Sequence, residues 1–409
     1  MNYYLQKYSV KPQLLKNQVN SNLGIIVVIP CYNEPNLIAS LDSLYDCHLP
    51  NCWVEVIVVI NSAENADELV REQNKQTIEE ASKWKKENSK KGIDFYFIDE
   101  PNLPQKDAGV GLARKIGMDE AVIRFEQINK PDGIIICFDA DATCEQNYLV
   151  EIEKHFKNNP KTPGCSIHFE HPLKGDKYPD YIYKGIEEYE LHLRYYKNGL
   201  KFCGLPYAFH TIGSSMAVRN SVYQKQNGMN KRKAGEDFYF LQKIIPLGNF
   251  TEITTTKVIP SPRMSDRVPF GTGKAMQNYL DNQQKEHLSY SIKSFIDLKQ
   301  FCEKVPELYI SNNVEFPQSV KDYLAEINFK GNLEKIKKNS PTQIHFIKLF
   351  FNWFNAFKVL KYMHFARDNY YPDVLVTEAA NDLLLLLGYK KQKEQELLVF
   401  YREMDRKLN

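Results

Sequence analysis

The sequence predicts an α/β protein, with a mostly parallel sheet carrying helices on both faces and a helical C-terminal region after it. Three observations predict this. Between Gly24 and Leu149, apolar runs of strand length alternate with segments whose apolar residues recur at helical spacing, the signature of βαβ units. The runs are near-continuous rather than alternating, so both faces of the sheet must be covered. Beyond Tyr279 the pattern is helical to the end.

Taken in order, a polar arm (1–23) leads into GIIVVIPCYNE, a buried strand ending at Pro30. PNLIASLDSLYDC repeats apolar residues at Leu37, Leu41 and Leu44 and predicts the first helix. WVEVIVVINSAEN predicts the second strand and DELVREQNKQTIEEASKWKKEN a charged helix. IDFYFIDE predicts a third strand, and VGLARKIGMDEAVIRF the helix after it. GIIICFDADA is the fourth strand, with a helix suggested by ATCEQNYLVEIEKHF. From about Thr256 the chain becomes rich in Pro, Gly and basic residues with little periodicity, which predicts a long functional loop. The expected segments are therefore an arm (1–23), a sheet domain (24–260), a basic Pro/Gly loop (261–279) and a helical domain (280–409).

Composition excludes several classes. With 43% hydrophobic and 25% charged residues, a chain of 409 residues is globular rather than disordered. A net charge of +2 argues against a nucleic-acid binder held by phosphate neutralisation. The eight Cys form no CxxC pair and read as free thiols of a reducing compartment, so a cytoplasmic protein is expected. The first residues lack the apolar core of a signal peptide, and no window approaches the ~20 apolar residues of a membrane span. The aromatic stripe of IHFIKLFFNWFNAFKVLKYMHF is expected to be buried, which leaves only peripheral contact with a membrane open.

The chemistry centres on GIIICFDADATCEQNYL. Residues i and i+2 of a strand share a side, so Asp139 and Asp141 converge if extended geometry persists. Their charges repel unless a cation lies between them, and Mg²⁺ or Mn²⁺ takes such hard oxygen ligands. The competing reading makes Asp141 a helix cap. PCYNE, NSAEN and DAD all fall at carboxyl ends of predicted strands, where ligands of such sheets bind. That favours the metal.

VVIPCYNE, FDADA and GSSMAVRNSVYQKQNGMNKRKAGEDFYFLQKI, in this order, resemble the three signature blocks of family 2 glycosyltransferases over roughly 24–245. The resemblance implies a GT-A-type, Rossmann-like domain that moves a sugar from a nucleotide-diphosphate donor to a hydroxyl of a glycan or glycoconjugate. It implies Asp141 as direct metal ligand and Asp139 on the ribose or a metal-bound water. Tyr32, in the turn after Pro30, would contact the base, and Glu34 the ribose or base. Where the family commonly has a base-reading Asp, this chain has Asn61, which weakens the inference of uracil because an amide both donates and accepts. Lys106 and Arg114 match residues that face the donor phosphates, although for Arg114 a solvated helix-end charge is the preferred reading. Asp237 matches the general base of inverting members and Glu236 would position the acceptor. Gly213 and Ser214 would leave room for the acceptor sugar. His168 and His171 read as structural.

Arg263, Arg267 and Lys274 are spaced across SPRMSDRVPFGTGKAM, which is expected to close over the donor diphosphate. A catalytically silent sugar-nucleotide-binding subunit is opposed by the intact DAD and ED motifs. A sugar nucleotidyltransferase would need a glycine-rich basic loop after the first strand, and PCYNEPN is not one. The sequence leaves a retaining mechanism open.

Overall fold

The computed structural model describes residues 2–263, 273, 276–277 and 286–407. These residues form two compact units, one of 2–178 with the described residues of 211–277, and one of 179–210 with 286–407. The division departs from the linear segments expected, because 179–210 belongs with the C-terminal helices and the N-terminal arm with the sheet.

The elements of the first unit begin with α1 (Tyr3–Lys7), β1 (Leu23–Cys31), α2 (Leu37–Tyr45), β2 (Trp53–Ala63) and α3 (Glu68–Glu87). They continue with β3 (Ile93–Leu103), α4 (Val110–Gln127), β4 (Ile134–Cys137), β5 (Thr143–Cys144), α5 (Tyr148–Asn158) and β6 (Gly164–Phe169). Helix α6 (Asp180–Phe202) lies in the second unit, and the first resumes with β7 (Met216–Arg219), α7 (Asn220–Lys225), α8 (Glu236–Ile244) and β8 (Thr251–Ile259).

The strands form one eight-stranded sheet in the order β3-β2-β1-β4-β7-β6-β8-β5. β3, β2, β1 and β4 run parallel, β7 reverses, β6 and β8 run parallel to each other, and β5 reverses again. The sheet is thus mostly parallel. Every residue of β1 is buried, so both of its faces are covered, as its unbroken apolar run requires.

The chain builds β2 and β3 outward on one side of β1 and then crosses to place β4 on the other. A switch of this kind opens a crevice at the carboxyl ends of the two strands. Register shows the opening. β4 pairs with β1 only as far as Val28↔Cys137, whereas β1 and β2 stay paired to Cys31↔Ile60. Pro30 is tolerated in this central strand because β4 has already left, so no ladder bond is lost on that side.

The arm is tied to α4. Tyr4 Oη donates to Asp119 Oδ1 at 2.6 Å, and the Leu14 and Leu15 N–H groups donate to Glu120 at 2.8 and 3.1 Å. Helix α4 is buried nearly all round, charged residues included, so it carries little apolar periodicity.

In the second unit, α6 packs with helices Ile292–Lys304, Val376–Leu386 and Glu394–Lys407. The aromatic stripe is two helices, Gln343–Trp353 and Ala356–Asn369, because Asn355 caps the second by accepting from Lys358 N–H at 3.3 Å. Phe346, Phe350, Val359 and Tyr362 of the stripe are buried. Inside this unit Asp405 accepts from Arg194 at 2.6 Å, Asn198 at 3.0 Å and Lys197 at 3.2 Å. Among the described residues, no helix is long and apolar enough to cross a membrane.

Candidate active site

The DAD segment does not stay extended. After β4 the chain turns, with Ala142 N–H donating to the Asp139 carbonyl at 3.1 Å. Ser40 of α2 braces the turn, its hydroxyl lying 2.8 Å from the Ala140 carbonyl and 2.6 Å from that of Ala142. Asp141 caps no helix, since α5 starts seven residues later, at Tyr148, behind Asn147. The turn sends the two carboxylates to two different guanidiniums.

Asp139 goes to Arg114, whose Nη2 donates to Oδ1 at 2.6 Å. Arg114 is 1% exposed and also bonds Glu236 through Nη1, so it is a buried bridge and not the solvated helix-end charge expected. Two glycines make this geometry. A Cβ at Gly213 would stand 2.7 Å from Arg114 Nη1, so glycine there lets the guanidinium lie against the backbone. A Cβ at Gly111 would overlap the Arg232 carbonyl, so glycine there lets the loop before α8 lie against α4.

Glu236 and Asp237 open α8, where the helix dipole favours carboxylates. Glu236 is buried, and burial raises its pKa to about 7, although Arg114 pulls it down. Asp237 keeps part of its surface open. Its pKa is also raised, by the protein surrounding its carboxylate and by Asp139, against the pull of Arg114 and of the Phe238 and Gly213 N–H groups. Glu236 is committed to Arg114 and Asp237 is the accessible member of the pair. Ser214 is buried.

Asp141 goes to Arg263, which follows β8. Arg263 Nη2 lies 2.9 Å from Asp141 Oδ2, and the same guanidinium grips both oxygens of buried Glu34. Glu34 also accepts from Asn36 N–H at 2.8 Å. Tyr32 stands partly exposed in the same turn. Asn61, two residues before the end of β2, is buried, and its Oδ1 has no hydrogen-bond partner among the described residues. Asn74 of α3 joins the two places, donating to the Asn61 carbonyl and accepting from Asn33 N–H, both at 2.9 Å.

Lys106 sits in an exposed turn and is not brought to the carboxylates by any described contact. Arg267 and Lys274 lie outside the described residues, and with them most of the loop expected to close. Sequence reasoning missed Ser40 and Asn74, which sit mid-helix without a local signal. His168 lies buried, with Nε2 3.0 Å from Glu170 Oε1.

Among the described residues no set of three or more His, Cys, Asp or Glu side chains is placed to hold a metal. Asp139 and Asp141 are two hard, part-exposed donors. That set fits Mg²⁺ or Mn²⁺, which complete their shells with water and phosphate oxygens, and does not fit a structural zinc.

No family model and no curated protein matches the chain. Among solved structures it is similar to S. aureus TarS 1–349 in complex with UDP-GlcNAc, at 14% identity, covering 94% of this chain and 89% of that one, with a TM-score of 0.39. It is also similar to the mannosyltransferase PcManGT from Pyrobaculum calidifontis in complex with GDP-Man and Mn²⁺, at 13% identity, covering 99% and 94%, with a TM-score of 0.37. At these scores no residue is carried across from either.

Proposed function

We propose that the chain is a metal-dependent glycosyltransferase that moves a sugar from a nucleotide-diphosphate donor to an acceptor hydroxyl, with inversion. One observation carries the reading: Asp139, Glu236 and Asp237 gather around buried Arg114 at the carboxyl end of the sheet's switch point. Direct displacement needs one accessible base beside one place where leaving-group charge is neutralised.

In this reading Asp237 is the base. It is the accessible carboxylate, and its raised pKa strengthens it as a proton acceptor. Glu236 orients Arg114 rather than the acceptor. Asp141 and Asp139 would hold a Mn²⁺ or Mg²⁺ ion, which would supply Lewis-acid neutralisation of the departing diphosphate. The nucleobase would enter beside Tyr32, where a base N–H could satisfy the buried Asn61 Oδ1. Lys106, Arg267 and Lys274 remain proposed donor contacts, and Ser214 an acceptor contact.

Transfer by Asp237→Asn tests the assignment. Donor affinity should be retained while turnover falls about 10²–10⁴-fold. Turnover that survives while donor binding collapses would show that Asp237 has a different role. Chelation should abolish transfer, Mn²⁺ or Mg²⁺ should restore it, and Asp141→Ala should stay inactive with added metal.

A further inference from the structure

We propose that Arg263 has two stations: it occupies the carboxylates of Glu34 and Asp141 in the donor-free protein, and it passes to the donor diphosphate when a divalent cation takes Asp141. The inference rests on the donor and metal reading above and deepens it, by assigning one residue to couple the two ligands.

The contacts are unequal in a way that suits exchange. Glu34 is 1% exposed and is gripped through both oxygens, with Nη1 3.1 Å from Oε1 and Nη2 on Oε2. Asp141, with a side chain 27% exposed, meets this guanidinium through Nη2, at 2.9 Å. The guanidinium is therefore held more closely by the deeper carboxylate than by the shallower one. The backbone is held meanwhile. Arg263 N–H donates to Ser261 Oγ at 3.3 Å, and that hydroxyl lies 3.1 Å from Tyr178 Oη. Exchange then needs a side-chain rotation from a fixed Cα.

Charge makes the stations exclusive. A divalent ion on the Asp141 carboxylate would stand within a few ångströms of the guanidinium, and like charges that close repel strongly away from bulk water. Without a diphosphate the guanidinium gains nothing by leaving, because leaving would give up its two hydrogen bonds to buried Glu34. A diphosphate changes this balance, since its oxygens accept the planar fork in two parallel hydrogen bonds. Cation and nucleotide each make the other's site available, and by linkage each must raise the other's affinity by the same factor.

The experiment titrates Mn²⁺ into purified full-length protein and reads free Mn²⁺ by electron paramagnetic resonance, alone and with UDP or GDP, with protein-free titrations subtracted. Arg263→Gln should bind Mn²⁺ about tenfold more tightly than the parent without nucleotide, equivalent to about 1.4 kcal/mol. It should also lose most of the nucleotide-induced gain, which in coupled sites is commonly about 5–150-fold. Arg263→Lys keeps the charge without the fork and should show a smaller gain, and it gives the same comparison if the Gln variant fails to fold. Equal Mn²⁺ affinity in parent and variants, with binding present, overturns the two stations alone. Absence of Mn²⁺ binding in every protein and condition overturns the metal reading, and the two stations with it.

Discussion

Arg114 Nη2 donates to Asp139 Oδ1 at 2.6 Å, tying the first turns of α4 to the turn that follows β4. Through Nη1 the same guanidinium holds Glu236, so three segments far apart in sequence meet on one side chain. Burial works against its charge, but Glu236, Asp139 and Asp237 outweigh burial and raise its pKa. A buried cation in such surroundings is fixed in both charge and position. Arg114 is thus a positioning residue for the carboxylates around it.

The first prediction follows from the packing behind that guanidinium. In Gly213→Ala the new methyl would lie 2.7 Å from Nη1 and 2.9 Å from Nη2, and Arg114 cannot retreat while two carboxylates pin it. Overpacking of this kind costs about 1–3 kcal/mol, read as a lower urea midpoint. Displacing catalytic groups by about an ångström can cost about 10²-fold in turnover. A variant with parental turnover would show that the clamp does not position the reacting groups.

The second concerns pH. Because the Asp237 pKa is raised in the folded protein, the base is protonated over a range where an ordinary aspartate is already ionised. The turnover profile should therefore show an acid limb displaced upward from the usual Asp range, with activity rising as the group loses its proton. In Asp237→Asn that limb should disappear together with most of the activity. A limb that persists unchanged in the variant's residual activity belongs to another group.

Legibility in the sequence followed the range of the interactions. Strands β1 to β4 were readable because a two-sided burial writes itself locally as an apolar run, and the carboxylates followed because their strand ends could be placed. Strands β6 and β8 and helix α6 were not identified, and α6 leaves the sheet domain altogether, a non-local fact that no window shows. Arg114 was misread for a similar reason. A lone arginine on a helix looks solvated until Glu236, 122 residues away, is folded against it. The extended geometry expected of the DAD segment gives way to a turn that Ser40 of a different helix braces, a contact 100 residues away in sequence.

The third prediction tests the arm. Deleting residues 2–16 removes the Tyr4 hydroxyl and the Val10 N–H from Asp119, and the Leu14 and Leu15 N–H groups from Glu120. Two buried carboxylates then lose four hydrogen-bond donors, and since one such bond to a charged group contributes about 1.5–3 kcal/mol, the deletion should cost more than about 3 kcal/mol. Urea denaturation should register a loss of that size, whereas Tyr4→Phe should lose about 1–3 kcal/mol. An arm deletion as stable as the parent would make the arm dispensable to the fold.

The last prediction concerns Glu236 and the direction of its linkage. Burial raises its pKa from 4.5 to about 7, with Asp237 pushing the same way and Arg114 opposing. A single guanidinium facing three carboxylates leaves one of them inclined to keep a proton, and Glu236 is buried deeply enough to do so. Between about 4.5 and about 7 the folded protein then holds a proton that the unfolded chain has released. Stability falls wherever the folded state binds more protons. The contribution of Glu236 is therefore fully present below about 4.5, declines through the window, and is gone above about 7. Glu236→Gln keeps a side-chain oxygen for Arg114 but cannot titrate, so its own stability should not carry this slope. Urea unfolding of parent and variant at intervals from pH 5 to pH 8 isolates the effect, because other groups cancel in the difference. The parent's stability relative to the variant should decline steadily with rising pH and level off near pH 8. A difference that stays flat, or one that grows with pH, would mean that Glu236 is ionised throughout and paired with Arg114 as a full salt bridge.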